Sequence, residues 1–465
     1  MTTAVVVGSG PNGLAAAVSL AQQGISVTVL EASDEIGGGT RTAELTLPGL
    51  LHDVCSAIHP FGIASPFLAS LPLAEHGLVW RWPAVDLAHP LDDGTAGVLL
   101  RSLDETCDRL GADGARWRST FAPLVETFDE FAPDVLGPLL SVPSHPLLMA
   151  RFGLRAGLPA TWLWRRFQGA AAKALFAGNA AHAFTPLSGP ASSGVGVMLV
   201  AVAHRYGWPV AEGGSHSITK ALASLLTSLG GRIETGTVVT TAPDADVVLL
   251  DTDPAAADRI LRRQRYRSFR HGPGAFKVDL AVRGGIPWTA PECARAGSLH
   301  LGGSAEEVAA NEAAVAAGRM PERPFVLVGQ QYLCDPTRSS GDLHPVWTYA
   351  HVPAGYDGDA TEAVLGQLER FAPGVRDVIE HVSVMRPSDL EAYNANYVGG
   401  DIAGGANMLR QLIGRPVMSR NPYATGVPGV FLCSASTPPG AGVHGMGGYH
   451  AAQRALAYLQ RLPRA

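Results

Sequence analysis

Residues 4–39, AVVVGSGPNGLAAAVSLAQQGISVTVLEASDEIGGG, decide the fold of this chain. The apolar run 4–7 is typical of a strand that is buried on both faces of a parallel sheet. The glycines of a GxGxxG pattern come next: Gly8, Gly10 and Gly13. Apolar residues at helical spacing follow, and a second apolar run ends at Glu31. This order of strand, glycine turn, helix, strand and acid predicts a βαβ unit that binds a dinucleotide.

Each part of this unit has an expected task. Gly8 makes the tight turn, Gly10 lets the backbone approach a diphosphate, and Gly13 lets the helix pack closely against the strand. The helix N-terminus, at Pro11 and Asn12, offers unpaired N–H groups and the positive end of the helix dipole. We therefore expect the phosphate groups of a cofactor at this turn.

The residues after the second strand distinguish between possible cofactors. Glu31 lies 18 residues after the last of these glycines and, with Ala32 beside it, is placed to accept hydrogen bonds from an adenosine ribose. A carboxylate there repels a 2′-phosphate, which disfavours NADP. The glycine run 37–39 favours FAD over NAD, because a larger cofactor extends past the first phosphate. Arg41 would then neutralise cofactor charge, and the alternative is an arginine exposed on the surface.

Three later segments have the pattern of further parts of the same domain. Residues 211–239 read as a glycine turn, a helix and a strand, and residues 244–254 read as a buried strand with a polar end. Residues 426–460 read as a strand, a glycine-dense turn and a helix. The N-terminus of that last helix could point at a second electron-rich group of the cofactor.

Four motifs resemble one known family. They are GSGPNGLAAAVSLAQQGISVTVLEASDEIGG from Gly8, GGSHSITKAL from Gly213, ADVVLLDTDP from Ala245 and GVFLCSASTPPGAGVHGMGGYHAAQRAL from Gly429. Together they resemble the phytoene desaturase (carotenoid desaturase) family of FAD-dependent oxidoreductases, within the flavin amine oxidase superfamily. The subgroup that the chain most resembles is the pyridine nucleotide-disulphide oxidoreductase domain-containing proteins, although this chain has no CxxC redox pair.

The resemblance implies a set of FAD-binding residues. On the diphosphate and ribose side these are Gly8, Gly10, Pro11, Asn12, Gly13, Glu31 and Ala32. Towards the flavin they are Gly38, Gly39 and Arg41. At the other end of the cofactor, Val239 would lie beside the adenine. At the ribityl chain and isoalloxazine they are Ser434, Ala435, Gly442, Val443, His444, Gly445 and Met446. The chain departs from the family at Gly39, where many relatives have an arginine directly after the paired glycines.

A chain of 465 residues is expected to form more than one structural unit. The predicted fold class is α/β: a discontinuous Rossmann-type FAD-binding domain with an inserted substrate domain of helices and an antiparallel sheet. The expected FAD-binding segments are 1–85, 208–271 and 421–465. The expected substrate-domain segments are 86–207, which is helical, and 272–420, which forms the sheet. The apolar helices either form a core or line a pocket, and 158–167 could instead rest on a membrane surface.

Three side chains are candidates for catalysis. Lys277 resembles the lysine that amine oxidases place, through a water, at flavin N5; the alternative is a lysine that faces outward from a strand. His59 and His444 could flank the isoalloxazine and act as acid or base near neutral pH. The alternative for each is a structural histidine whose hydrogen bonds are satisfied within the protein, which is the commoner case for a single histidine. No metal-binding motif is present.

Composition excludes several classes of protein. The net charge of −6 provides no basic field for nucleic acid. The five cysteines form no CxxC pair, so we expect a reducing, cytoplasmic location rather than a disulfide framework. No apolar run reaches the ~18 residues of a membrane span. The protein is therefore expected to be soluble, or at most peripheral at a membrane.

The predicted function is dehydrogenation (desaturation) of a small hydrophobic substrate, isoprenoid or acyl-like, by hydride transfer to FAD. O2, a quinone or another acceptor would reoxidise the flavin. Two alternatives remain open at this point. One is a flavin amine oxidase, and the other is a non-catalytic FAD-binding chaperone or scaffold protein.

Overall fold

The computed structural model describes residues 2–462, and two large sheets organise it. The first sheet has five parallel strands. In spatial order they are Val430–Leu432, Val247–Leu250, Thr3–Val7, Ser26–Leu30 and Arg232–Glu234. Strands from three distant parts of the chain therefore complete one parallel sheet. The α/β fold with a Rossmann-type sheet, predicted from the first forty residues, is confirmed.

Helices cover this sheet, and two glycines let them pack closely. The helices are Pro11–Ala21, His216–Ser228, Pro254–Leu261 and Met446–Leu459. A Cβ added at Gly13 would lie 2.1 Å from the carbonyl oxygen of Gly8, so any side chain would push the first helix off its strand. A Cβ added at Gly448 would lie 1.8 Å from the carbonyl oxygen of Asn12, so the last helix packs directly on the first.

The second sheet has seven strands. In spatial order they are Ile379–Met385, Gly274–Arg283, Leu343–Val352, Val326–Gly329, Ala296–Leu301, Val85–Pro90 and Ala96–Leu99. Neighbouring strands are antiparallel except for one pair, Ala296–Leu301 with Val85–Pro90, which is parallel. The antiparallel sheet expected from 272–420 is confirmed, because every neighbouring pair of strands within that segment is antiparallel, and the one parallel neighbour, Val85–Pro90, comes from outside it.

Two strands of the second sheet lie outside the segment expected to form it. Val85–Pro90 and Ala96–Leu99 precede the helices, so the assignment of all of 86–207 to a helical segment is wrong. Every residue of Val85–Pro90 is buried, which removes the alternation by which strands are recognised. Its buried Asp86 accepts a hydrogen bond from the Trp208 backbone N–H at 2.7 Å.

A helical layer covers the second sheet. Its helices are Leu103–Arg109, Gly114–Val125, Phe128–Val135, Pro146–Ala156, Ala160–Leu163, Ala170–Ala181 and Gly194–Tyr206. Trp117, Phe121 and Phe176 are fully buried between them. Gly97 allows Ala170–Ala181 to contact the sheet, because a Cβ there would lie 2.6 Å from the carbonyl oxygen of Ala171. In the segment 158–167, Leu163 and Trp164 are buried, which favours a core helix there.

Shorter elements complete the fold. The short strands are Thr42–Ala43 with His52–Asp53, and Trp80–Arg81 with Val210–Ala211. The remaining α-helices are Pro60–Ile63, Pro66–Ala69, Ala305–Ala316, Thr361–Phe371, Val375–Val378, Pro387–Tyr393 and Leu409–Ile413. Within residues 2–462, no helix has the length and apolar character needed to cross a membrane.

Candidate functional site

A cavity of about 1100 Å³ opens at the carboxyl ends of the parallel strands. Ligands of open α/β sheets bind at this edge, where strands end and helices begin. The cavity continues between the helical layer and the second sheet, whose side chains line its far part. Its volume exceeds the ~300–1,000 Å³ of ordinary small-molecule pockets. The cavity is therefore large enough for an extended cofactor together with a second molecule.

The two glycine turns form one continuous backbone surface at the cavity wall. Gly8 has φ +102°, in the left-handed region that favours glycine, and a Cβ there would lie 2.8 Å from the carbonyl oxygen of Asp251. A Cβ on Gly38 would lie 3.0 Å from the Cα of Gly10. The second turn thus packs directly against the first, and both expose backbone to the cavity.

Glu31 lines the cavity and also stabilises the first glycine turn through hydrogen bonds. Its Oε2 accepts hydrogen bonds from the backbone N–H of Ser9 at 2.8 Å and the Ser9 hydroxyl at 2.6 Å. Its Oε1 accepts one from the backbone N–H of Ser33 at 2.9 Å. A carboxylate offers about four acceptor positions. The protein uses three of them, which leaves one for a ligand hydroxyl.

Arg41 is buried, so the alternative of an arginine exposed on the surface is wrong. Its Nη2 donates to the carbonyl of Glu35 at 2.7 Å and lies 3.6 Å from Glu31. Its guanidinium also lies over the ring of Tyr393, 5.2 Å from the centroid. Tyr393 in turn donates its hydroxyl hydrogen to the carbonyl of Gly38 at 2.7 Å. Arg41 therefore links the second glycine turn to the helix Pro387–Tyr393.

Tyr397 accounts for the departure from the family at Gly39. A Cβ at position 39 would lie 1.9 Å from the Tyr397 hydroxyl oxygen. No side chain fits there unless the tyrosine moves. Tyr397 lines the cavity at this point, beside Gly39. Sequence reasoning missed Tyr397, because nothing local connects it with the glycines.

Asp251 is a second residue that sequence reasoning missed. It follows the strand Val247–Leu250, and its Oδ2 accepts a hydrogen bond from the backbone N–H of Gly13 at 2.9 Å. The same oxygen would lie 2.8 Å from a Cβ on Gly10. Burial, and to a lesser extent the nearby charge of Glu31, raises the pKa of Asp251 to about 7. An acid directly after a buried strand of a parallel sheet was the signal that could have indicated it.

The structure divides the C-terminal candidates into two groups. Ser434, Ala435, Gly442, Val443 and His444 line the cavity. Gly445 and Met446 do not line it. They begin the last helix, and the Met446 side chain is buried in the core. The Met446 backbone N–H donates to Nδ1 of His444 at 3.0 Å. This N–H is therefore already paired within the protein, which differs from the expectation that the helix start points at a ligand.

The other predicted cofactor residues also fall into two groups. Those that line the cavity are Gly8, Gly10, Pro11, Asn12, Glu31, Ala32, Gly38, Gly39, Arg41 and Val239. Gly13 does not line it and lies beneath the turn, between Gly8 and Asp251. Its position is one of close packing rather than ligand contact.

His59 and His444 both line the cavity, but neither titrates near neutral pH. Nε2 of His59 lies 2.7 Å from the hydroxyl of Ser215. Burial lowers the pKa of His59 and of His444 to about 4 each. Both rings are neutral at pH 7, so the expectation of titration near neutrality is wrong. Their part in catalysis stays a prediction.

Lys277 is buried but is not among the residues that line the cavity. Its ammonium forms an ion pair with Asp279 two residues along the same strand, and Asp279 also lies 3.3 Å from Nδ1 of His52. The alternative of an outward-facing lysine is therefore wrong. Cys55, on whose thiol the Lys277 charge acts, does line the cavity. Burial raises the pKa of the Cys55 thiol, while Tyr397 and the Lys277 charge oppose that rise.

The far part of the cavity is an apolar chamber. The helical layer contributes Phe152 and Met198, and Trp208 follows one of its helices. The second sheet contributes Trp347 and Tyr349. The Trp347 and Tyr349 rings meet edge to face, with centroids 4.9 Å apart and an interplanar angle of 77°. The helices of the inserted domain thus line a pocket as well as forming a core.

The fold and the site together define a class of protein: an oxidoreductase with a Rossmann-type dinucleotide-binding domain. Residues 6–69 match the family NAD_binding_8, the NAD(P)-binding Rossmann-like domain. The chain is 25% identical, over an alignment 553 positions long, to pyridine nucleotide-disulfide oxidoreductase domain-containing protein 2 of Mus musculus, covering 97% of this chain and 92% of that protein. It is 26% identical to hydroxyneurosporene desaturase of Cereibacter sphaeroides, covering 98% and 97%. The resemblance stated from the sequence motifs is confirmed.

Solved structures show the same fold. The chain superposes on a double mutant of putrescine oxidase with a TM-score of 0.60 and 18% identity, covering 99% of this chain and all of that one. At this identity the likeness concerns the fold alone. Relatives and structural neighbours are oxidoreductases, which agrees with the predicted enzyme class.

Proposed function

We propose that the protein is an FAD-dependent dehydrogenase that introduces a C=C bond into an apolar substrate. The observation that carries this proposal is the continuity of one cavity, from the paired glycine turns to the apolar chamber. A cofactor held at the turns would meet a substrate held in the chamber. When bound, FAD supplies the acceptor for a hydride, and the substrate also loses a proton from the adjacent carbon.

Unpartnered polar atoms along the cavity support a polar, extended cofactor. Among the described residues, the buried hydroxyls of Thr252 and Ser434 have no hydrogen-bond partner, and both residues line the cavity. Buried polar groups without partners are rare and costly in a folded protein. The residues present therefore fit FAD: Gly8, Gly10 and Gly38 would lie along the diphosphate, Glu31 at the ribose, and Ser434 towards the flavin.

The chamber residues would orient the substrate and exclude water. Trp347, Tyr349 and Phe152 provide apolar surface, and burial of a ligand chain there contributes roughly 25 cal/mol per Å² of apolar area removed from water. The neutral imidazoles of His59 and His444 add little charge to this environment. A dry surface favours hydride transfer over side reactions with solvent. O2 or a quinone would complete the cycle as electron acceptor.

Two observations weigh against an amine substrate. Trp347 and Tyr349 meet edge to face rather than as a facing pair around an ammonium group. Arg415, a buried cation, lines the same cavity and would repel such a group. The amine oxidase alternative is therefore the weaker of the two enzymatic functions.

The deciding experiment is anaerobic absorbance of the FAD-loaded protein against isoprenoids, acyl chains and amines. Bleaching of the flavin by an isoprenoid or acyl chain, with a C=C bond in the product, is the expected result. Bleaching by amines with peroxide formed in air would establish the amine oxidase instead. Bound FAD that no compound reduces would favour a non-catalytic flavoprotein.

A further inference from the structure

A buried guanidinium lies in the wall of the cavity. Arg415 is only 2% exposed and lines the cavity. Its Nη2 donates to the carbonyl of Gly405 at 3.1 Å and to Oδ1 of Asn407 at 3.4 Å. Its Nε has no hydrogen-bond partner among residues 2–462. Much of the hydrogen-bonding capacity of this side chain is therefore unused.

No carboxylate neutralises this charge. Within the described part of the chain, no acidic oxygen lies within 4 Å of Arg415. Asp401 is the acid whose charge acts on it, but the oxygens of Asp401 are engaged elsewhere. They accept backbone hydrogen bonds from Gly272, Ala403 and Gly405, each at 2.8 or 2.9 Å. Burial lowers the pKa of Arg415 to about 10, so the group is still charged at pH 7.

An isolated buried charge is costly, and its retention calls for a partner. Removing an ion from water costs several kcal/mol even after relaxation. The planar fork of an arginine matches a carboxylate, with two parallel N–H···O bonds. Arg415 therefore has the properties of one half of an ion pair whose other half is a ligand.

The position of Arg415 indicates which kind of ligand. A Cβ on Gly440 would lie 2.2 Å from its Nη1, so the guanidinium lies against the loop that follows strand Val430–Leu432. Asn407 donates through Nδ2 to the carbonyl of Ala183 at 2.9 Å, which ties this region to the helical layer. Phe184, the residue after Ala183, lines the cavity and stacks with Tyr349 of the chamber, with ring centroids 6.3 Å apart. An anionic head group at Arg415 would thus lie beside apolar surface suited to a hydrocarbon chain.

We propose that Arg415 binds the carboxylate of an amphipathic acid whose apolar chain occupies the chamber. This inference deepens the proposed function, on which it rests, by assigning the substrate to the acyl-like class with a free acid group. Binding of the acid does not itself require flavin reduction. The two proposals can therefore fail separately.

The test compares dodecanoic acid with its methyl ester, which has the same chain but no charge. Equilibrium binding to the FAD-loaded protein is measured through quenching of tryptophan fluorescence, since Trp208 and Trp347 line the chamber. The expected result is at least tenfold tighter binding of the acid to the unmodified protein. Arg415→Gln should remove this preference, and Arg415→Lys should retain part of it.

Arg410→Gln is the matched control, because Arg410 is an exposed arginine on the short helix Leu409–Ile413. It should leave the preference unchanged. Equal binding of acid and ester to the unmodified protein would overturn the proposal. The proposal would also be overturned if Arg415→Gln kept the preference for the acid over the ester while its FAD content or flavin spectrum changed. Arg415 would then contact the cofactor rather than the acid. If Arg415→Gln does not fold, an unchanged preference in Arg415→Lys, with its single ammonium, would also count against the proposal.

The same samples separate this proposal from the proposed function. Tight, Arg415-dependent binding of the acid without anaerobic bleaching of the flavin would support the carboxylate site and contradict dehydrogenation of this acid. Bleaching by uncharged isoprenoids, with no preference for the acid, would support the dehydrogenase and contradict the role of Arg415.

Discussion

The carboxyl group of Asp251 accepts a hydrogen bond from the backbone N–H of Gly13 at 2.9 Å, although 238 residues separate them in the chain. The contact places an ionisable acid beneath the turn expected to hold a diphosphate. Glu31 is the other acid that acts on this site. Burial raises the pKa of Asp251 to about 7, so its charge changes within the physiological range.

Asp251 should make FAD binding depend on pH. As the pH rises from 6 to 8, Asp251 loses its proton and repels the diphosphate, so the affinity of the unmodified protein for FAD should fall several-fold. Asp251→Asn keeps an acceptor for the Gly13 N–H and should bind FAD with little change over this range. Titration of the apoproteins with FAD at pH 6, 7 and 8 checks this. An FAD affinity that changes equally with pH in both proteins would refute the role of Asp251.

The same group should affect stability with a defined sign. The pKa of Asp251 is higher in the folded state than its ordinary value of 3.8, so the unfolded chain releases this proton first. The contribution of Asp251 to the free energy of unfolding therefore falls as the pH rises from about 4 to about 7. Asp251→Asn should gain stability relative to the unmodified apoprotein at pH 8 and lose that advantage near pH 4, as measured by urea unfolding.

Position 39 should tolerate a side chain only when Tyr397 is shortened. In Gly39→Ala the new Cβ would meet the Tyr397 hydroxyl oxygen at 1.9 Å. We expect a lower melting temperature and lower FAD content. Adding Tyr397→Phe removes that oxygen and leaves the ring carbon 3.2 Å from the Cβ, so the double variant should recover much of the loss. Additive losses in the double variant would contradict this account.

Buried histidines should make the fold sensitive to acid. Burial lowers the pKa of His204 to about 4, while the unfolded chain has the ordinary value of 6.5. A lowered histidine pKa means that stability is lost as the pH falls from about 6.5 to about 4, because the unfolded state takes up the proton. His204→Gln retains an acceptor for the Trp117 indole N–H, now 3.0 Å from Nε2. It should reduce the difference in unfolding free energy between pH 7 and pH 5 by about 2 kcal/mol.

Lys277 allows a structural role to be separated from a catalytic one. Lys277→Met leaves Asp279 buried without its cation and should destabilise the protein by roughly 3–5 kcal/mol. The double variant Lys277→Met/Asp279→Leu removes both charges and should recover most of that stability. Because Lys277 does not line the cavity, we expect the folded double variant to reduce its flavin with substrate at the normal rate. A rate reduced by a hundredfold or more would instead establish a catalytic lysine.

Local patterns predicted the binding unit well, since its signals lie within one short stretch. The strand Thr3–Val7, the turn at Gly8 and the strand Ser26–Leu30 are adjacent in sequence and in space. Burial of both faces explains why the strand Val85–Pro90 was missed, because it has no alternating pattern. The sheet order could not be predicted from any single segment.

The site residues that were missed share one property: each depends on contacts from distant parts of the chain. Tyr397 matters because it fills the space beside Gly39, and Asp251 because it reaches Gly13. Arg415 is distinguished from the other arginines only by its surroundings, since it is buried and no carboxylate among the described residues pairs with it. A sequence shows the residue types but not which charges burial will leave unpaired.

The packing of Gly448 against Asn12 has a consequence for biosynthesis. The nucleotide-binding layer needs both the strand Val430–Leu432 and the helix Met446–Leu459, which closes over the first helix. During translation the earlier strands of this sheet are expected to stay incompletely covered until residues 430–459 have been synthesised. Cofactor capture is therefore expected to follow the synthesis of these late residues.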